Sequence, residues 1–74
     1  MTRLPAVPAR DVVPVPQKCG FVLRRTTGSH HVLRHADGRM AVVPDHGGRP
    51  LKRGTLRAIQ RQAGLTPEEF LRML

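Results

Sequence analysis

From residue 20 onward the apolar positions fall in short runs separated by turn-forming polar clusters. Phe21-Val22-Leu23 is a compact β-prone run that ends in Arg24-Arg25 and meets Thr26-Thr27-Gly28-Ser29. This predicts a strand entering a hairpin loop. Residues 30–35 make a second run, and Ala36-Asp37-Gly38-Arg39 separates it from Met40-Ala41-Val42-Val43-Pro44. Asp-Gly between two such runs is a strong hairpin signal, because these residues accept the positive φ that a tight reversal needs. The pattern predicts three antiparallel strands in meander order.

Residues 45–50 read as a loop, rich in Gly and closed by Pro50. The period then changes: Leu56, Ile59 and Ala63 recur at helical spacing, so a helix opens at Gly54-Thr55 and runs through Ala63. Arg53, Arg57 and Arg61, spaced by four, form the opposite stripe, and Gly64 stops the helix. Thr66-Pro67-Glu68-Glu69 is a second start signal, with Thr66 as N-cap, Pro67 at the first position and Glu69 as the reciprocal capping-box partner. Phe70, Leu71 and Leu74 would dock this last helix on the core, to which Leu56 and Ile59 also belong. Residues 1–16 are different. They hold four of the seven prolines, and Val13-Pro14-Val15-Pro16 is expected to be extended. A short helical turn over residues 9–13 with Pro8 at its start is compatible, but the segment reads as a Pro-rich tail preceding a domain over residues 17–74.

Composition limits what such a chain can do. Seventy-four residues make one small domain that buries only about 60% of its unfolded surface. Two Phe, no Trp and no Tyr leave aliphatic side chains to fill the core, so the expected site is shallow and lies on the surface. Thirteen Lys+Arg against five Asp+Glu give a formal charge of +8, and eleven of the thirteen are Arg. The guanidinium fork suits phosphate oxygens, which points to a nucleic acid or another polyanion. The single Cys19 excludes an internal disulfide and a multi-thiolate metal site and fits a reducing cytoplasm. It is expected to be half-buried and inert. No apolar run reaches membrane-spanning length, and residues 1–16 lack the apolar core of a signal peptide.

Five short motifs occur in order: Gly20-Phe21, then Gly28-Ser29-His30-His31, Val43-Pro44 with His46-Gly47, Leu51-Lys52-Arg53-Gly54-Thr55-Leu56, and Ala63-Gly64-Leu65. Their order and spacing resemble the HicA family, the toxin half of HicA–HicB toxin–antitoxin pairs, over about residues 17 to 74. The resemblance implies an α+β fold like a double-stranded-RNA-binding domain, a three-stranded antiparallel sheet packed on helices. It further implies a cytoplasmic mRNA interferase, an endoribonuclease neutralised by a HicB-like antitoxin. The catalytic histidine of the family's Gly-Ser-His motif corresponds to His30. Members lead into Gly-Phe with an amphipathic helix. Here Pro14 and Pro16 fall inside it, which predicts a short or broken first helix.

RNA is cut without a metal or cofactor if one group deprotonates the 2′-hydroxyl, another steadies charge on the phosphorane, and a third protonates the leaving 5′-oxygen. Imidazole suits the first or last task. Gly28 lets the backbone approach a phosphate, Ser29 and the loop amides can donate to it, and Arg24, Arg25, Lys52 and Arg53 are candidate clamps. Nine of the thirteen basic residues lie between Arg24 and Arg61, with only Asp37 and Asp45 to offset them. The Arg53-Arg57-Arg61 stripe is therefore read as phosphate-tracking rather than merely solvated. His30 and His31 should point to opposite faces of a strand, leaving His31 structural or peripheral. His35 and His46 are read as strand-end or loop residues, with His46 the candidate second acid, and no zinc spacing is present. With both Phe assigned to the core, contact should run through backbone and shape rather than base stacking. Two other readings are a catalytically inactive RNA-binding module of the same fold and a helix-turn-helix over residues 55–74. Glu68 and Glu69 on the second helix oppose the latter by repelling phosphate.

Overall fold

The computed structural model of the protein describes residues 3–74. Its elements are α1 (Ala9–Val12), α2 (Pro14–Lys18), β1 (Val22–Thr27), β2 (His30–Arg34), β3 (Met40–Pro44), α3 (Arg53–Gln62) and α4 (Pro67–Met73). The strands form one antiparallel sheet in the order β1-β2-β3, so the meander and the α+β class are as expected. Among the described residues no helix is long and apolar enough to cross a membrane.

Alternation along the strands decides which face is covered. Leu33, Ala41 and Val43 are buried against Leu56, Ile59, Ala63 and Phe70 from the helices, whereas His30, Arg34 and Met40 point the other way and are exposed. All the helices therefore lie on one side, and the second face of the sheet is open. The edge of β3 is closed by a side chain: the Val42 amide donates to Gln62 Oε1 at 3.1 Å.

The N-terminal segment has the short, broken helix that was expected but corrects the extended and tail readings. Residues 9–18 are helical with one interruption, and Val13 itself has helical φ −51° and ψ −41° rather than an extended conformation. Pro14 and Pro16 carry no N–H to bond the carbonyls a turn back, so α1 ends and Pro14 restarts the helix at a position where no donor is needed. This keeps Val12, Val15 and Pro16 on one face, all buried in the common core with Leu4 and Ala9. Burial of Val12 and Val15, each worth about 1.5–3 kcal/mol, outweighs the local bias of a residue before proline. The segment is thus a layer of the fold rather than a tail, and packing continues across residue 16. Its strand-like end also grips the loop before α3: Pro8 pairs with Pro50, and the Leu51 amide donates to the Val7 carbonyl at 2.8 Å.

The remaining junctions follow local rules. Gly64 ends α3 at φ +75°, where any Cβ would also meet the Arg39 guanidinium at 2.7 Å. Thr66 and Glu69 form the expected reciprocal capping box. Two assignments need correction, because Leu71 and Leu74 are exposed and α4 docks through Phe70, with Met73 partly buried. The seven residues of α4 present one narrow apolar stripe, on which Phe70 is central and Leu71 lies to the side. Arg39 is committed to structure: it pairs with Asp37 at 2.7 Å, donates to the Ala63 carbonyl and lies 5.2 Å from the centre of the Phe21 ring.

Candidate functional site

The turn between β1 and β2 consists of Gly28 and Ser29, and Gly28 takes φ +50° with open space around it. A residue with a side chain would be strained there, so glycine makes the reversal tight enough to bring His30 into register with Thr27. The turn is tied to the end of β3 by the Asp45 amide, which donates to the Ser29 carbonyl at 2.6 Å.

The two histidines take opposite faces, as alternation requires. His30 is exposed on the open face, and its Nδ1 lies 3.4 Å from Ser29 Oγ. His31 turns toward the covered side and is half-buried. Its Nδ1 is 3.1 Å from Thr26 Oγ1 and its Nε2 is 3.5 Å from Asp45 Oδ2. The other Asp45 oxygen accepts from the Gly48 amide at 3.1 Å. That amide first, and the His31 ring second, hold the Asp45 carboxyl below the ordinary carboxylate range. Thr26, His31, Asp45 and Gly48 thus brace the turn that carries His30 against the loop after β3. His35 is also structural, packed edge-on against Phe21 with ring centres 5.2 Å apart.

The open face also carries basic groups farther along the sheet. The register between β1 and β2 slips between Leu23 and Arg25, leaving Arg24 in a bulge. Consecutive strand residues normally alternate, but the bulge lets Arg24 and Arg25 serve the same hollow, of about 320 Å³, together with Arg34, Val32 and Met40. Arg34 shares the face with His30 and Val32 by strand parity, a position that composition alone did not single out.

The second group of expected contacts sits elsewhere. Lys52 and Arg53 open α3, and Arg53, Arg57 and Arg61 follow its length in the helix layer, so the sheet lies between that stripe and the open face. Between the end of β3 and the start of α3 is a hollow of about 370 Å³, whose walls include His46, Arg49, Lys52 and Thr55. Arg49 was not among the sequence candidates; its setting depends on the N-terminal segment pinning residues 50–51, which local pattern does not reveal. The first turn of α3 contains no acidic residue and no side-chain cap. The arrangement therefore joins His30 to Ser29 and Gly28 at the turn, gathers Arg24, Arg25 and Arg34 in a hollow farther along the open face, and separates both from Arg57 and Arg61. The donors of these groups, guanidinium, hydroxyl, amide and imidazole, with the Lys52 ammonium in the β3–α3 hollow, suit phosphate.

Comparison with curated proteins gives no significant match. A family model described as the HicA toxin of bacterial toxin–antitoxin systems matches residues 9–65, the greater part of the chain, and the chain belongs to the HicA toxin family.

Proposed function

We propose that the protein is an endoribonuclease toxin that cleaves mRNA in the cytoplasm without a metal, using His30, and that a HicB-like antitoxin neutralises it. Membership of the family makes it a toxin-system protein and implies an antitoxin partner in general. The observation that carries the nuclease reading is His30 itself, an exposed imidazole set at a glycine turn on the same sheet face as a hollow lined by Arg24, Arg25 and Arg34.

In the proposed reaction the 2′-oxygen attacks the adjacent phosphorus and the bond to the 5′-oxygen breaks. The products are a 2′,3′-cyclic phosphate and a free 5′-hydroxyl. With Nδ1–H donated to Ser29 Oγ, His30 Nε2 holds the lone pair that removes the 2′ proton; in the protonated ring the same atom supplies a proton to the 5′-oxygen. The arginines of the open face and the Gly28-Ser29 amides steady the phosphorane charge, Lys52 and Arg53 hold flanking phosphates, and Arg57 and Arg61, farther along the helix layer, add a weaker attraction for the RNA backbone. Carboxylates, the usual ligands of magnesium or calcium, do not line the Arg24–Arg25–Arg34 hollow.

The reading of an inactive RNA-binding module drew on the prolines of residues 1–16. Leu4, Ala9, Val12, Val15 and Pro16 of that segment are buried in the core, so its prolines do not argue for a lost layer. The test is incubation of end-labelled RNA with the purified protein in EDTA, with mass analysis of the new ends. Cyclic phosphate and 5′-hydroxyl ends are expected; intact RNA, or cleavage that needs added metal, contradicts the proposal.

A further inference from the structure

We propose that the hollow between β3 and α3 is a second substrate subsite, which holds the phosphate and ribose of the nucleotide next to the bond cleaved at His30. The inference rests on the nuclease reading above. It begins with chemistry. A space of about 370 Å³ falls within the range of small-molecule pockets, and its lining offers Arg49, Lys52, the His46 imidazole and the Thr55 hydroxyl. No carboxylate lines it. Asp45, adjacent in sequence, has one oxygen bonded to the Gly48 amide and the other facing His31. Pro44 and Leu51 supply an apolar wall. Two cations, a hydroxyl and a small apolar surface, with the His46 imidazole the one ring among them, match a sugar-phosphate unit better than a bare base.

Position supplies the next step. Pro44 lines the hollow and is the β3 partner of His30 in the sheet register. Residues directly opposite in an antiparallel pair are about 4.5–5.5 Å apart, so the hollow opens one strand spacing from the catalytic candidate. Farther along the open face, toward the other end of β2, lies the hollow of Arg24, Arg25 and Arg34. An RNA strand that runs along the open face from the arginine hollow past His30 thus arrives at the hollow beside Pro44. The walls are also held in place before any ligand arrives, by the Leu51 amide on Val7, the Pro8–Pro50 pairing and the Asp45 amide on Ser29. This preorganisation lowers the ordering cost of binding.

The test uses the full chain and a 2′-O-methyl oligoribonucleotide of about eight nucleotides, which lacks the attacking hydroxyl and stays intact whatever the mechanism. On titration the Thr55 amide and His46 ring resonances should shift. Arg49→Ala with Lys52→Ala should weaken binding about tenfold and lower the slope of log affinity against log salt by about one to two. Arg57→Ala with Arg61→Ala removes the same charge and should cost clearly less. Unmoved Thr55 and His46 resonances, or equal losses in the two double variants, overturn the subsite. Circular dichroism spectra confirm that each variant is folded. If resonances and affinities behave as expected while natural RNA is never cut, the subsite stands and the nuclease reading falls. If RNA is cut through His30 and the resonances do not move, the subsite falls alone.

Discussion

His30 and His31 are neighbours in sequence with opposite fates, and the difference comes from what each side chain touches. His31 sits between Thr26 and Asp45 and is part of a brace, whereas His30 keeps one hydroxyl neighbour and an open face. Strand alternation made that division legible in the sequence. The brace was not legible, because it depends on the residue after β3 returning to the β1–β2 turn. It has a pH signature. The folded-state value of Asp45 is depressed, so its stabilising effect is complete above the unfolded value, about 4, and is lost as pH falls through the folded one. Acidification from about pH 5 to about pH 2 should therefore release the Gly48 amide from Asp45, visible as movement of the Gly48 resonance. Asp45→Asn should remove that acid-dependent movement, and an unchanged profile in the variant would mean the brace does not hold the turn.

At the scale of elements, the structure separates rules that act locally from those that packing overrides. The Thr66–Glu69 capping box could be read directly from four residues, because both partners lie within one helical turn. Thr66→Ala should cost about 1 kcal/mol in urea unfolding, and no change would mean that α4 contributes nothing to the cooperative unit. The Arg24 bulge was not readable, since register slips arise from twist and pairing across strands rather than from residue type. Its consequence is geometric: two consecutive arginines line one hollow on the open face. The helices at Pro14 and Pro16 were also obscured. The local preference for extended backbone was real, but burial of Val12 and Val15 outweighed it.

For the whole molecule, the N-terminal segment, the sheet and the two later helices share one core, and the open sheet face is left to the basic groups. A domain with this little core depends on every layer. Val12→Ala should therefore cost about 2 kcal/mol by chemical denaturation, from two lost methyl groups and the cavity they leave, whereas a tail residue would cost almost nothing. The charge of +8 was legible as a sign of a polyanionic partner, but its division into an open-face group, a β3–α3 group and a helix stripe needed the fold. The account as a whole depends on His30 performing proton transfer on RNA held by those groups. The most direct measurement is the single-turnover cleavage rate of saturating labelled RNA by His30→Ala and by the parent, with affinity for the 2′-O-methyl oligonucleotide determined in parallel. A fall of about 10²–10⁴-fold in rate with affinity nearly unchanged is predicted. A variant that cuts RNA as fast as the parent would contradict the mechanism.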